Sequence, residues 1–237
     1  MKKLLAALLL TLPTISVAID LEGYYITAKG GISKSMDTGV TDIINATPTD
    51  FLLEDNDLGT GWAGGLSVGK YLTNKFRMEL EFTRRGGLEY NALRSHPSNA
   101  FYEKAHISSN ALFVNGLYDF QPFSVKSSSI TPYIGGGIGI ARNKMGMQKE
   151  ISANSANAGQ LYNTWNSNSI SSLAYKLSVG TLVSFTEKVS LDLNYQYVNL
   201  GDFKGRVESN SGYIYTRGIH GGEIKTQELM VGLQYKF

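Results

Sequence analysis

The chain has 237 residues, among them 26 Gly, 14 Tyr and 10 Phe, but only 5 Pro and no Cys. Glycine and aromatic residues in this proportion favour a protein of many strands over a helical one. The net charge of +2 is too small to indicate nucleic-acid binding. Without cysteine, the fold must be stable without a disulfide.

The first 18 residues have the pattern of a secretory signal peptide. Two lysines precede an apolar run that is broken at Pro13. A cleavage site of small residues follows and ends at Ala18. Such segments are removed on export. We therefore predict a signal peptide at 1–18 and a single mature domain at 19–237. No later stretch has the roughly 18 uncharged apolar residues that a membrane-spanning helix needs.

Eight segments of the mature region alternate between apolar and polar residues with a period of two, which is typical of strands. In chain order they are 23–33, 61–71, 76–84, 107–120, 131–141, 173–185, 189–198 and 228–237. Strands of about ten residues are long for a soluble sheet, but they match a tilted membrane crossing.

The connections between these segments differ in length in a regular way. Four are long, at 33–60, 84–106, 142–171 and 201–223, whereas those at 72–75 and 186–188 are tight turns and that at 121–129 is intermediate. In an up-and-down meander, alternate connections lie at the same end, so the four long loops share one end. Transmembrane barrels have this asymmetry, with long loops on the extracellular side.

Alternation alone leaves two barrels open: a soluble, lipocalin-like barrel with its apolar face inward, and a membrane barrel with that face outward. The polar face favours the second, because it combines glycines with charges of both signs, such as Lys29, Arg77, Glu79 and Glu81. A narrow eight-stranded interior needs small residues beside large ones, and these charges are expected to pair inside it.

The aromatic residues assigned to the apolar face separate into two levels, which predicts two girdles around an apolar band. Near the end with both termini we expect Tyr24, Tyr71, Phe76, Tyr118, Phe120, Phe185, Tyr235 and Phe237. Near the loop end we expect Trp62, Phe82, Tyr175, Tyr195 and Tyr197. We therefore predict an all-β, eight-stranded antiparallel transmembrane barrel. Its last strand must pair with its first, because each unpaired backbone group in hydrocarbon would cost several kcal/mol.

Four stretches, "FRMELEFTR", "TPYIGGGIGIA", "LNYQYVNLG" and the terminal "VGLQYKF", resemble the eight-stranded outer-membrane barrels of the opacity-protein and OmpA type in Gram-negative bacteria. The resemblance covers nearly all of the mature chain and implies a location among outer-membrane lipid and lipopolysaccharide. It also implies that Leu233, Tyr235 and Phe237 form a signal for the outer-membrane assembly machinery. The chain departs from full OmpA proteins in ending at the barrel, without a peptidoglycan-binding domain.

The chain is also similar to surface proteins of obligate intracellular bacteria of the rickettsial kind, some of which are adhesins. This resemblance implies a monomeric surface protein whose loops bind a host surface or matrix protein. The alternative is a structural or lipid-organising protein without a specific ligand. Loop aromatics and arginines are the residue types common in binding hot spots, so the candidate contacts are Tyr162, Trp165, Phe203, Arg206, Tyr213, Tyr215 and Arg217. These aromatics would otherwise fold back on the outer rim.

One catalytic candidate is the pair His106 and Ser108, whose spacing is similar to the motif of outer-membrane lipid A deacylases. Alternation places both side chains on the lipid-facing side. A triad also needs an acidic residue to orient the histidine, and nearby Glu103 has the opposite parity. We therefore predict no enzyme, and lipid A deacylation stays a distant alternative. No residues are spaced as a metal site or a phosphate loop, so no cofactor is expected.

Overall fold

The computed structural model describes residues 21–36, 41–42, 53–54, 58–96, 99–125, 128–154, 156–205 and 220–237. Across these ranges the chain forms thirteen strands: β1 Tyr24–Ser35, β2 Thr41–Asp42, β3 Leu53–Glu54, β4 Thr60–Tyr71, β5 Phe76–His96, β6 Asn99–Asp119, β7 Phe123–Val125, β8 Ser128–Met145, β9 Gln148–Ser152, β10 Leu161–Trp165, β11 Asn168–Ser184, β12 Val189–Lys204 and β13 His220–Lys236. The described ranges contain no helix of the length and apolarity needed to cross a membrane.

Eight of these strands close into an antiparallel barrel. The order β1-β4-β5-β6-β8-β11-β12-β13 follows the chain, and β13 pairs with β1 from Lys236 opposite Tyr25 to Thr226 opposite Ser35. The closure of the last strand on the first confirms the predicted eight-stranded barrel. Because the ring is continuous, none of these eight strands leaves an open edge along its barrel section.

The barrel strands are strongly staggered. Ile26 of β1 pairs directly with Tyr235 of β13. If the paired residues are followed from Ile26 the other way around the barrel, from strand to strand, the residue reached on β13 is Lys225. The stagger is therefore 235 − 225 = 10 residues. A stagger of this size tilts the strands of a small barrel by about 40° from its axis.

Apolar side chains point outward from the barrel, as predicted. The largest exposed fractions on this band belong to Leu173 at 75% and Ile138 at 69%. Outward aromatics toward the loop end include Trp62, Phe82, Tyr175 and Tyr195, and those at the opposite end include Phe76, Phe120, Phe185, Tyr235 and Phe237. The two levels flank an apolar band.

Tyr71 departs from this prediction because it points inward. Its ring lies 5.3 Å from the ring of Tyr25, and its hydroxyl accepts a hydrogen bond of 3.4 Å from Gln234. The reason is parity: Tyr71 has the parity of the buried residues Ala63 and Ser67, whereas Lys70 points outward. The girdle at the terminal end is therefore built without Tyr71.

The interior near the terminal end and the middle of the barrel is polar and ion-paired. Glu81 accepts hydrogen bonds from Lys29 at 2.9 Å, from Asn115 at 2.7 Å, and from Lys176. Arg77 pairs with Asp119 at 2.9 Å. Burying a charge costs free energy unless a partner of opposite charge compensates it. These contacts therefore agree with the predicted pairing of charges inside the barrel.

The interior toward the loop end is apolar instead. A cluster of buried side chains lies there, comprising Leu58, Leu88, Tyr90, Ala105, Ile107, Ala111, Phe113, Ala141, Met145, Ala174, Val198, Leu200, Phe203 and Ile224. Arg85 lies opposite Ser109, between the cluster residues Ile107 and Ala111 of β6, and forms a buried ion pair with Glu228, whose Oε1 is 2.6 Å from Nε of the arginine. Side chains thus fill the barrel along its length, as expected for eight strands.

The strands extend further than the alternation predicted and run into the segments predicted as long connections. The segment 84–106 is mostly strand, because β5 continues to His96 and β6 begins at Asn99. The segment 142–171 contains β9 and β10, and the short strands β2 and β3 lie within 33–60. The segment 201–223 is shortened at both ends by β12 and β13. Bulges interrupt the alternation of apolar and polar residues, so the sequence pattern did not show that these strands continue.

Candidate functional site

A glycine bulge redirects β5 where it leaves the barrel. The register of β5 with β6 shifts between Arg85 and Leu88, and Gly87 has a φ of 76°, a value that favours glycine. Arg85 points inward before the shift, and Leu88 and Tyr90 point inward after it. One extra residue in a strand produces this change of parity, so Glu89 faces outward.

Beyond the bulge, four strand segments form what we call the projecting sheet: residues 88–96 of β5, 99–107 of β6, β9 and β10. Strand β9 pairs with β6 from Phe101 opposite Ser152 to Lys104 opposite Lys149, and β10 pairs with β9. The chain therefore joins the second and third predicted loops into one sheet.

The projecting sheet stands well clear of the outward apolar band. Tyr102 precedes Leu112, a residue of that band, by ten positions on the same strand. At 3.4 Å per residue this is about 34 Å of strand, or about 25 Å along the barrel axis after a tilt of about 40°. Side chains on the sheet are therefore placed to meet large partners outside the membrane.

The face of the sheet that points toward the barrel axis is buried and largely polar. Gln148 donates a hydrogen bond of 3.1 Å to the carboxylate of Glu103, and Glu103 and Glu150 are both buried. Trp165 is also buried on this side, at 7% exposure. This face holds the sheet together, and it is not available to a partner.

The opposite face exposes apolar and aromatic side chains. Tyr162 is 65% exposed and Leu161 59%. On this face, Lys104 lies 5.9 Å from the ring centroid of the exposed Tyr102. At the register shift of β10, the Tyr162 ring packs instead against Phe101, which has the parity of the axis-facing Glu103, with ring centroids 4.9 Å apart. Aromatic side chains beside a cation, set on paired strands, are a common arrangement at binding surfaces.

The residues predicted as loop contacts are placed differently from one another. Tyr162 is largely exposed, as a contact requires. Trp165 faces the axis, and Phe203 is fully buried in the apolar cluster, so the expectation that these two are surface contacts is wrong. A register shift of β12 between Asn199 and Asp202 turns Phe203 inward. Four further candidates lie outside the described residues: Arg206, Tyr213, Tyr215 and Arg217.

His106 and Ser108 point outward from β6, as predicted, and the structure adds an acidic neighbour. Nδ1 of His106 lies 3.3 Å from Oε1 of Glu89. The carboxylate is on the correct side only because the bulge reversed the parity of β5. Both side chains are more than half exposed, so solvent screens their interaction. The signal for this contact in the sequence was the Gly86-Gly87 pair inside a strand pattern.

The predicted assembly signal lies at the end of β13. Leu233, Tyr235 and Phe237 all point outward and are between 39% and 57% exposed. The rings of Tyr235 and Phe237 meet edge to face with centroids 5.4 Å apart, and the backbone N–H of Phe237 donates to the carbonyl of Tyr24 at 3.1 Å. The closing pair of strands is thus hydrogen-bonded up to the last residue.

A closed barrel with an apolar outer surface, two aromatic levels and paired charges inside defines the class of membrane-spanning β-barrels. The chain belongs to the outer membrane protein beta-barrel domain family, whose sequence model matches residues 4–237. The protein is therefore located in the outer membrane of a Gram-negative bacterium, with its long connections on the extracellular side.

Two relatives resemble the chain along most of its length. Outer membrane protein PagN of Salmonella typhimurium is 28% identical over 232 residues, which are 91% of this chain and 90% of PagN. A protein of Rickettsia bellii named "Putative adhesin" is 25% identical over 192 residues, which are 77% of this chain and 80% of that protein. The resemblance to rickettsial surface proteins is thereby confirmed.

Two solved structures share the fold. Neisserial surface protein A superposes with a TM-score of 0.52 at 18% identity, over 91% of this chain and 98% of its own. The outer membrane protein OprG of Pseudomonas aeruginosa gives a TM-score of 0.51 at 14% identity, over 91% and 96%. At these identities the similarity shows the barrel fold and carries no statement about binding.

Proposed function

We propose that this outer-membrane protein is an adhesin and that its projecting sheet binds a host surface or matrix protein. The observation that carries the proposal is the exposure of Tyr102, Leu161 and Tyr162, with Tyr102 about 25 Å along the barrel axis from Leu112 of the apolar band. A barrel needs only short turns to close its hairpins, so this extension is not explained by membrane insertion.

The composition of the exposed face fits protein recognition. Tyrosine side chains provide large contact area with few rotatable bonds, and they concentrate in binding hot spots. Beside them, exposed Asn157 and Gln160 line a cleft with Phe101 and Tyr162 at the tip of the sheet. Amide groups of this kind supply hydrogen bonds around an aromatic anchor. The name of the Rickettsia bellii relative supports the same function.

The proposal is tested by removing the anchors while keeping the backbone. We would replace Tyr102, Leu161 and Tyr162 by Ser, express the protein on a non-adherent Gram-negative host strain, and count the bacteria attached to cultured cells. Attachment is expected to fall at least tenfold, because hot-spot truncations cost about 2 kcal/mol or more each. Surface amount is measured in parallel with an antibody to the folded barrel.

A matched control replaces three exposed residues at the loop end that lie off the projecting sheet, Thr60, Asp202 and Gln227, by Ser. This control is expected to attach like the wild type. If the first variant reaches the surface in normal amount and attaches normally, the sheet is not the adhesive surface. If the wild type itself does not increase attachment, the structural or lipid-organising alternative is favoured.

A further inference from the structure

We infer that the outer wall of the barrel at β5, β6 and β8 binds the phosphate groups of a glycolipid in the outer leaflet, through Arg84, Arg142 and Lys144. This site lies on the lipid-facing wall below the projecting sheet. It is independent of the proposed adhesion, and either proposal stands without the other.

The pairing registers place these cations together. Arg84 lies opposite Asn110 in the pairing of β5 with β6, and Asn110 lies opposite Arg142 in the pairing of β6 with β8. The two arginines therefore flank one asparagine, with backbones about 10 Å apart, or two interstrand spacings. Lys144 follows two residues beyond Arg142, opposite Ser108. All three cations point outward and are exposed.

Their position coincides with the edge of the apolar band. One outward position nearer the middle of the membrane than Arg84, Asn110 and Arg142, the residues on the same strands are Phe82, Leu112 and Ile140, which are 50%, 50% and 65% exposed. The wall thus changes from apolar to cationic on β5 and β8, and from apolar to polar on β6, within two residues of each strand, or about 7 Å. Lipid headgroups lie where the hydrocarbon ends, so the cations meet the headgroup layer while the acyl chains contact the apolar row.

No described residue of the protein neutralises the charges of this wall. Among the described residues, no carboxylate lies within ion-pairing distance of Arg84, Arg142 or Lys144. The barrel pairs its cations elsewhere: Lys225, outward on β13, contacts Glu223, and the hydrogen bond to that carboxylate raises the pKa of Lys225. A group of unpaired cations on adjacent strands therefore suits an anionic ligand.

The side chains match phosphate in particular. A guanidinium group donates two parallel hydrogen bonds to oxygens of one phosphate, and an ammonium group adds a point charge. Asn110 and Ser108, between and beside the cations, supply neutral donors. On the next strand, β11, the corresponding outward positions are Ser169 and Ser171, which carry no charge. The basic wall, meaning Arg84, Arg142 and Lys144, therefore ends at β8 on that side, as expected for a site that binds one headgroup.

The test uses the full mature chain refolded in a neutral detergent and lipid A as the probe. Native mass spectrometry counts the lipid A molecules that remain bound across a concentration series. The variant Arg84→Gln/Arg142→Gln/Lys144→Gln is expected to bind lipid A at least about tenfold more weakly, which corresponds to about 1.4 kcal/mol. The control Lys34→Gln/Lys204→Gln/Lys225→Gln removes three other outward cations at the loop end and is expected to stay within about twofold of the wild type.

Two further probes identify the source of the phosphate. Lipid A stripped of its phosphates is expected to bind the wild type as weakly as lipid A binds the variant; equal binding of both lipids would overturn the inference. A phosphorylated disaccharide without acyl chains is expected to compete poorly, and competition as strong as that of lipid A would reassign the wall to a soluble anion. Heat-dependent gel mobility checks folding. If the triple variant does not fold, Arg142→Gln alone decides the matter, with an expected loss of about threefold and no loss counting against the site.

Discussion

Nδ1 of His106 lies 3.3 Å from Oε1 of Glu89, although an uninterrupted alternation of β5 would point Glu89 into the barrel. The bulge at Gly86 and Gly87 reverses the parity and brings the carboxylate to the outer face. With Ser108 on the same face, the three residue types of a hydrolytic triad lie on neighbouring strands. Catalysis requires more, because a triad acts through fixed orientation and an oxyanion hole, and both paired side chains are largely exposed.

We predict that this group is dispensable and has no hydrolytic activity. Replacing His106 and Ser108 by Ala and Glu89 by Gln, together or singly, is expected to leave the acylation of lipid A unchanged in cells that express the protein. Mass spectrometry of extracted lipid A measures this, with cells lacking the protein as the reference. Loss of one acyl chain that depends on all three residues would show that the barrel is a deacylase and that our prediction is wrong.

The bulge itself is open to a direct test at Gly87. Its φ of 76° is disfavoured for residues with a side chain, and a left-handed conformation costs such a residue about 1–2 kcal/mol. Gly87→Val is expected to destabilise the projecting sheet and to increase cleavage by trypsin within 88–107, with the barrel intact on gels. Gly116→Val is the control, because a Cβ there meets no atom within 4 Å. Equal protease resistance of the two variants would contradict the role given to the bulge.

The barrel was predictable from the sequence because each strand has lipid on one side and a packed interior on the other. Its residues therefore alternate between apolar side chains that face lipid and polar or small ones that face the interior. Residues such as Leu80 and Glu81 carry this signal directly. The alternation stops being informative where a bulge changes the parity: Glu89 and Phe203 both follow register shifts, and each has the orientation opposite to that which an uninterrupted alternation would give.

The projecting sheet was harder to predict for a different reason. It depends on the pairing of β9 with β6, and the partners Glu150 and Glu103 are far apart in sequence. Local alternation says nothing about which distant strand lies next to a given one. The basic wall was missed likewise, since Arg84 and Arg142 are brought together only through their common neighbour Asn110.

The buried ion pair of Arg85 with Glu228 is predicted to contribute strongly to stability. Nε of Arg85 lies 2.6 Å from the carboxylate, which also accepts hydrogen bonds from Ser33, Gln196 and Thr226. Glu228→Leu leaves a buried guanidinium without its partner, which costs about 3–5 kcal/mol. Unfolding by urea in detergent, followed by gel mobility, measures the loss. The double variant Arg85→Met/Glu228→Leu is expected to recover most of it; a single variant as stable as the wild type would contradict the prediction.

Deletion of Phe237 is predicted to impair assembly and not binding. The residue closes β13 against Tyr24 and lies beside Tyr235 at the terminal end, far from the projecting sheet. Less protein is expected in the outer membrane, while each inserted molecule attaches cells as the wild type does. Phe237→Tyr, which keeps an aromatic ring, is expected to insert normally. Normal insertion of the truncated chain would show that the last residue carries no such signal.

The last prediction concerns the coupling of the two hairpins in the projecting sheet. Strand β9 covers the edge of β6 at residues 101–104, and a two-stranded hairpin alone is marginally stable in water. Replacing 147–166 by a short Gly-Ser turn is therefore expected to loosen β6 as well: amide hydrogen exchange should become faster at 99–107 and remain slow at 108–118, where β8 still pairs. Trimming 205–219 in the same way is the control, because it removes none of the residues that pair with β6 from β5, β8 or β9. The candidate contacts predicted from the sequence lie in the third and fourth predicted loops, whereas the structure joins the second and third into one sheet. Attachment should therefore fall in the first trimmed variant and persist in the second. Slow exchange at 99–107 without β9 would show that the β5–β6 hairpin stands by itself and that the two hairpins are separate surfaces.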